Sequence, residues 1–195
     1  MQSGWRIGGA YARTAGYAAM AVLVIAAEQG SAPSQPFHSS TTKQPVHVEL
    51  ITEHASIQPD GQTKIGAHFE IEAGWHIYAK HPGDAGLPTT IQWTGPSWVS
   101  FSPLHWPPPE QFLDPGDIKT YGYSVTAVLY STLKCRLGMI GGQYPVPLPI
   151  QADVKWLACK EVCIPGSATL DLTLPVRSEA PAFSARAEWF EQTHE

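Results

Sequence analysis

Cys159 and Cys163 carry the clearest chemistry in this chain. They sit in Trp156-Leu157-Ala158-Cys159-Lys160-Glu161-Val162-Cys163-Ile164-Pro165, at the end of an apolar, strand-like run. The chain has one other cysteine, Cys135. A bridge closing a loop of about five residues stabilises a fold by roughly 2 kcal/mol, against about 3 for a fifteen-residue loop. A bridge that adds so little, beside a turn, suits chemistry in which it opens and closes. In an extended strand residues four apart lie about 13 Å from one another, whereas a disulfide needs Cα atoms within about 7 Å. The chain must therefore fold back between the two cysteines. A hairpin with Lys160-Glu161-Val162 as its loop satisfies this, and so does a single helical turn. Pro165-Gly166 argues against a helix continuing beyond.

Thiol–disulfide exchange proceeds by thiolate attack on a disulfide sulfur. Free cysteine ionises near pH ~8.5, so groups that favour the thiolate matter. Lys155 and Lys160 favour it and Glu161 opposes it. Cys135 shares strand parity with Val125, Ala127, Leu129 and Leu133. That reads as a small buried hydrophobe more readily than as a resolving thiol.

These residues need a scaffold, and the pattern along the chain is one of short strands. Residues 46–57, 63–71, 76–78, 89–93, 98–101, 119–135, 146–159 and 168–176 carry strand signals, with 119–135 long enough to bend. Within 63–71 the alternation is clean. Ile65, Ala67, Phe69 and Ile71 point one way, and Lys64, His68 and Glu70 the other. Pro59-Asp60-Gly61 is a turn. Seven or so strands between Gly/Pro turns predict an all-β, immunoglobulin-like β-sandwich. A short C-terminal helix is expected over 181–192, with Phe183, Ala187 and Phe190 on one side. Two long loops stand out, 81–88 (HPGDAGLP) and 106–117 (WPPPEQFLDPGD). Loops of that length on a compact sandwich are often functional. Phe112 at the centre of the second either covers a reactive group or packs on the sandwich edge. Glu110 beside it is either a solvated carboxylate or a proton carrier.

The 195 residues are 43% hydrophobic and 15% charged, with net charge −5 and 18 prolines. That supports one domain with a proper core. With no basic patch or run, nucleic acid is excluded as a partner class. The N-terminus reads as an export signal over 1–32. Arg6 and Arg13 precede an apolar stretch at 15–27, and Gly30-Ser31-Ala32 offers a cleavage site. An uncleaved anchor is the alternative. Residues 33–45 are polar, Pro-rich and expected to be a disordered lead-in. The domain proper is expected over 46–177, with 178–195 as a tail or short helix. Export would place the cysteines in an oxidising compartment outside the cytoplasm.

Several segments carry a resemblance. They are Gly74-Trp75-His76-Ile77-Tyr78, His81-Pro82-Gly83-Asp84-Ala85-Gly86-Leu87-Pro88-Thr89, Trp106-Pro107 with Pro109-Glu110-Gln111-Phe112, Tyr121-Gly122-Tyr123, and Val154-Lys155-Trp156-Leu157 with Cys159, Cys163, Ile164 and Pro165. In this order, over roughly 46–176, the chain resembles the N-terminal periplasmic domain of the DsbD family of thiol:disulfide interchange proteins. The likeness is to the branch similar to the copper-sensitivity suppressor ScsB. The resemblance implies a sandwich with one redox-active pair, matched here by Cys159 and Cys163. In that family the domain takes electrons from a thioredoxin-like domain fed by a membrane domain, and passes them to periplasmic proteins. Cys163 would form the mixed disulfides with partners. Glu110-Gln111-Phe112 matches the cap loop, Phe112 its shielding aromatic, and Tyr78 lies in the flanking segment. The best-known members space the cysteines more widely and have acidic residues at both positions before the aromatic, one of which is Gln111 here. With no membrane or thioredoxin-like segment in this sequence, a DsbD-type electron donor is expected on another chain. No cofactor or metal is expected.

Two rival readings remain at this level. Soft thiolates at Cys-x3-Cys also suit Cu(I), with His76, His81 and His105 able to approach only through the fold. The pair could instead be a purely structural bridge on a binding module. No G-x-S-x-G, H-E-x-x-H or phosphate-cradling glycine loop supports a hydrolase.

Overall fold

The computed structural model describes residues 44–136 and 147–191. The expected export signal lies outside them, as does nearly all of the lead-in. Among the described residues no helix is long and apolar enough to cross a membrane.

Ten strands follow in order: β1 Val46–Thr52, β2 Gln62–Ile71, β3 His76–Gly83, β4 Thr90–Thr94, β5 Val99–Phe101, β6 Glu110–Asp114, β7 Ile118–Ser124, β8 Thr126–Cys135, β9 Leu148–Cys159 and β10 Cys163–Leu174. They form two antiparallel sheets, β1-β2-β8-β5 and β10-β9-β3-β7-β6, with β4 also paired to β9. This is the expected all-β, immunoglobulin-like sandwich.

Alternation builds the core between the sheets. In β2, Ile65, Ala67, Phe69 and Ile71 are all buried. Phe69 and Ala67 meet Ile77 and Ala79 of β3 and Val154, Trp156 and Ala158 of β9 in the main cluster. A second cluster gathers Ile57, Ile65, Leu133, Cys135, Leu148 and Leu174. Cys135 is a free, buried thiol there, its ionisation pushed to higher pH chiefly by burial. This fits its reading as a small hydrophobe.

Several expectations need correction. The long candidate strand 119–135 is two strands, one in each sheet, joined at Val125. Val125 has φ of 62° and is 70% exposed, so it leaves the apolar face that parity assigned to it. The 106–117 loop contains β6, paired along β7 from Glu110↔Gly122 to Asp114↔Ile118. Pro107, Pro108 and Pro109 masked it, because prolines beside five residues read as a loop. They lie just ahead of the strand, which begins at Glu110, so none of them removes a ladder hydrogen bond. β3 runs on past Tyr78 through a register shift to Gly83 and takes up the start of the 81–88 loop. The expected strand 46–57 stops at Thr52, and Ile57 returns as an isolated bridge to Val176.

The expected helix over 181–192 shrinks to a four-residue 3-10 turn, Ala187–Phe190. Backbone hydrogen bonds from Ala55 N–H to the Ala182 carbonyl and from Ser184 N–H to the Glu53 carbonyl hold that stretch extended. Phe190 is fully buried, whereas Phe183 is exposed and stacks on His54.

Candidate functional site

The β9–β10 hairpin places the cysteines. Its register runs without a break from Leu174↔Leu148 to Cys163↔Cys159, and Lys160, Glu161 and Val162 form the loop. Cys159 and Cys163 are disulfide-bonded, with Cα atoms 4.1 Å apart. This is near the narrow, non-hydrogen-bonded spacing of directly opposed residues. Of the two backbone solutions, the chain takes the hairpin. Cys163 is exposed and Cys159 is buried.

Strand parity then fixes which side chains share the sulfurs' face. Ala158 belongs to the core, so Cys159 points outward. His76 of β3 is paired with Cys159, and Ser124 of β7 with His76. Cys163, Cys159, His76 and Ser124 therefore form one row across four strands on the outer face. The next row holds Tyr78 and Gly122, with Glu110 opposite Gly122. Gly122 must be glycine, because a Cβ there would lie 2.0 Å from the Ile77 carbonyl oxygen. β7 can thus lie tight on β3 and bring β6 within reach of His76.

His76 is the hub. Its ring is buried and lies flat against Phe112, with centroids 4.4 Å apart and planes 12° apart. Tyr78 meets it edge-on at 5.1 Å. Asp114 Oδ1 is 3.9 Å from its Nε2, beyond hydrogen-bond range, and that nitrogen has no hydrogen-bond partner. Burial lowers the His76 pKa below its usual value, partly opposed by the Asp114 charge. The other Asp114 oxygen, Oδ2, accepts a hydrogen bond from Thr120 Oγ1 at 2.8 Å. Burial, reinforced by Asp114, raises the Tyr78 phenol.

The two loops singled out from sequence converge here. The first packs on Tyr78, and a Cβ at Gly86 would lie 2.4 Å from that ring. It is tied to β7 through Lys119 N–H donating to Asp84 Oδ2 at 3.2 Å. The second supplies Phe112 and Asp114. Phe112 is half-buried and reaches the pair through His76. Glu110 is exposed, and both its carboxylate oxygens accept from Ser124 Oγ, at 3.1 and 2.8 Å.

The part given to Lys155 from sequence does not carry over. Lys155 lies four residues up the same extended strand, about 13 Å from Cys159, too far to hold a thiolate. Lys160, in the hairpin loop, lies against Gly74. His81 and His105 are exposed, and His105 stacks on Tyr130. Among the described residues, no group of three or more His, Cys, Asp and Glu side chains is placed to hold a metal ion. Sequence reasoning missed the central place of His76 and missed Asp114 altogether. The available signals were a histidine alternating with the buried Ile77, and an acid four residues beyond Glu110.

Comparison with known proteins gives this geometry a family. The family model for the N-terminal domain of the thiol:disulfide interchange protein DsbD matches residues 43–175. The chain belongs to the DsbD N-terminal family. Its members carry a thiol–disulfide exchange domain, and the match spans β1 through β10. Among solved structures, the N-terminal periplasmic domain of ScsB from Proteus mirabilis is 24% identical with a TM-score of 0.54. The alignment covers 77% of this chain and 53% of that one. This chain thus spans about half the length of that ScsB domain, and the likeness shows the shared fold. The reduced DsbD N-terminal domain of Neisseria meningitidis is 17% identical with a TM-score of 0.36, over 65% of this chain and 89% of that one. A search of curated protein sequences gives no match.

Proposed function

We propose that this domain exchanges disulfides with thioredoxin-like proteins or domains in the periplasm, using Cys159 and Cys163 as its redox pair. The observation that carries the reading is the asymmetry of the bridge, with Cys163 exposed and Cys159 buried in one hairpin on the outer face of a DsbD-family sandwich. An incoming thiolate reaches Cys163 Sγ, forms a mixed disulfide and expels the Cys159 thiolate. A second thiol of the partner then attacks its own sulfur in that mixed bond and releases Cys163. Two electrons and two protons pass to the domain, and the same steps in reverse pass them to an acceptor disulfide. Exposure suits Cys163 to the partner-facing role.

Phe112 acts as a shield over the buried side of this site. It closes on His76, the neighbour of Cys159, and a docking partner displaces it. Glu110 anchors the shielding strand through Ser124, and Tyr78 supports the opposite edge of the His76 ring. Support for the compartment comes from the family and from the leader read in residues 1–32.

Partner trapping tests the reading. The Cys159→Ser chain leaves Cys163 unable to be resolved, so it should accumulate covalent, reductant-sensitive complexes with a reduced-then-oxidised thioredoxin-like protein. Cys163→Ser should trap far less. Equal trapping by both variants, or by neither, removes the assignment.

A further inference from the structure

We propose that His76 is the proton donor and acceptor of Cys159, and that Asp114 is the positioning residue that orients its ring for that task. This rests on the exchange reading above and deepens it.

The need for such a group follows from burial. Cys159 is 2% exposed. When the bridge opens, Cys159 leaves as a thiolate in a place where water cannot reach it freely, and burying an unpaired charge is costly. A proton must come from a neighbour. The titratable or charged groups around the His76 ring are Tyr78 on its own strand, Asp114 and Glu110 from β6, Cys159 from β9, and Lys160 from the hairpin loop, which lies against Gly74. Glu110 is exposed and engaged with Ser124. Asp114 is held by Thr120 and sits opposite Ile118, three rows along β7 from Ser124 and Cys159's row. The raised Tyr78 phenol is a poor acid near neutrality. His76 is opposite Cys159 in register, on the same face.

The state of the ring suits the role. Nε2 is buried and unpaired, a condition native structures rarely leave without a use. Asp114 Oδ1 stands 3.9 Å away, too far for a hydrogen bond to the neutral ring but close enough to favour the imidazolium when it forms. Burial keeps the resting ring neutral, ready to accept. Phe112 lies over the ring and limits proton exchange with solvent until it moves.

The step balances as follows. A partner thiolate bonds to Cys163 Sγ, the Cys159–Cys163 bond breaks, and Cys159 departs with the electron pair. His76, neutral at rest, takes the proton released by the partner's attacking thiol once the partner has displaced Phe112, gives it to the Cys159 sulfur and returns to the neutral form. In the reverse direction neutral His76 takes the Cys159 proton. The resulting thiolate attacks Cys163 Sγ in the mixed disulfide and expels the partner's thiolate. The two electrons come from or go to the partner's dithiol, and His76 moves one of the two protons.

The test uses the full chain carrying Cys163→Ser and Cys135→Ala, so that Cys159 is the one thiol. Its thiolate absorbance is followed against pH, alone and with His76→Gln or Asp114→Asn. The Cys159 pKa should rise by about one unit or more with His76→Gln and by less with Asp114→Asn, as expected for coupled sites. Superimposable curves overturn the proposal. A second measurement needs no change at the site, in case His76→Gln fails to fold. The His76 ring is titrated by NMR in the otherwise unaltered chain, oxidised and reduced. In the reduced form the His76 ring signals should show a second inflection at higher pH as Cys159 ionises, absent in the oxidised form, and the same single titration in both forms overturns the proposal. Exchange of the unaltered disulfide with reduced thioredoxin is run in parallel. Exchange without any His76 effect removes this inference alone, whereas no exchange removes the redox reading and the inference with it.

Discussion

At the level of single residues, the two sulfurs differ more by position than by chemistry. Cys163 stands at the exposed start of β10, and Cys159 is buried at the end of β9. In the reduced protein, Cys163 alone (with Cys159→Ser) should react with iodoacetamide at least about tenfold faster than Cys159 alone (with Cys163→Ser), because thiolate character and access set the rate. Equal rates would mean that the bridge is not presented as described. The pair and the need for the chain to fold back between its members were legible from sequence, but the hairpin was one of two ways to do it, beside a helical turn. The lysine at 155 misled, because proximity in sequence is about 13 Å of distance along a strand. His76 and Asp114 were not legible as neighbours of the pair. They meet only through the register of β3 on β9 and of β6 on β7, and register is a property of the folded sheets.

At the level of elements, β6 decides how well the site is shielded. Glu110, Phe112 and Asp114 share the outer face with the sulfurs, and Phe112 stacks on His76. Phe112→Ala should accelerate alkylation of the reduced pair by a small reagent while lowering stability by only about 1 kcal/mol, the scale of one aromatic contact. An unchanged alkylation rate, read beside a denaturant melt, would remove the shield. The link between β7 and β8 carries a different kind of information. Val125 is a β-branched residue at positive φ with its side chain mostly in solvent. Val125→Gly should therefore stabilise the domain by about 1 kcal/mol, as strain at that φ is relieved; a lower denaturation midpoint would mean that the valine holds the corner by packing. The strands with clean alternation were readable, β2 above all. β6 was not, because a five-residue edge strand between prolines has the composition of a loop. The split of 119–135 was hidden because apolar parity runs through Val125 while the backbone turns there.

At the level of the whole molecule, two buried histidines tie stability to pH. Burial is the largest influence on both His68 and His76, and each is held below the ordinary value of 6.5. The unfolded chain therefore binds more protons than the folded one below that pH. Their contribution is fully present above about pH 6.5 and is lost as the pH falls through the window between the unfolded and folded values. Urea midpoints should drop between pH 7.5 and pH 5.5, and His76→Gln should make that drop shallower. A midpoint indifferent to pH would mean that neither ring resists protonation. The sandwich class was readable from strand spacing and turns, and the resemblance of its motifs agreed. The C-terminal helix was not, since backbone hydrogen bonds to residues 53 and 55 hold that stretch extended. What the scaffold does with its bridge is read most directly from the bridge's reduction potential, by equilibrating the full chain with a glutathione series and trapping thiols at each step. A pair that trades electrons with thioredoxin-like partners should lie at about −180 to −270 mV. A value below about −300 mV would mark a structural bridge and end the case for exchange.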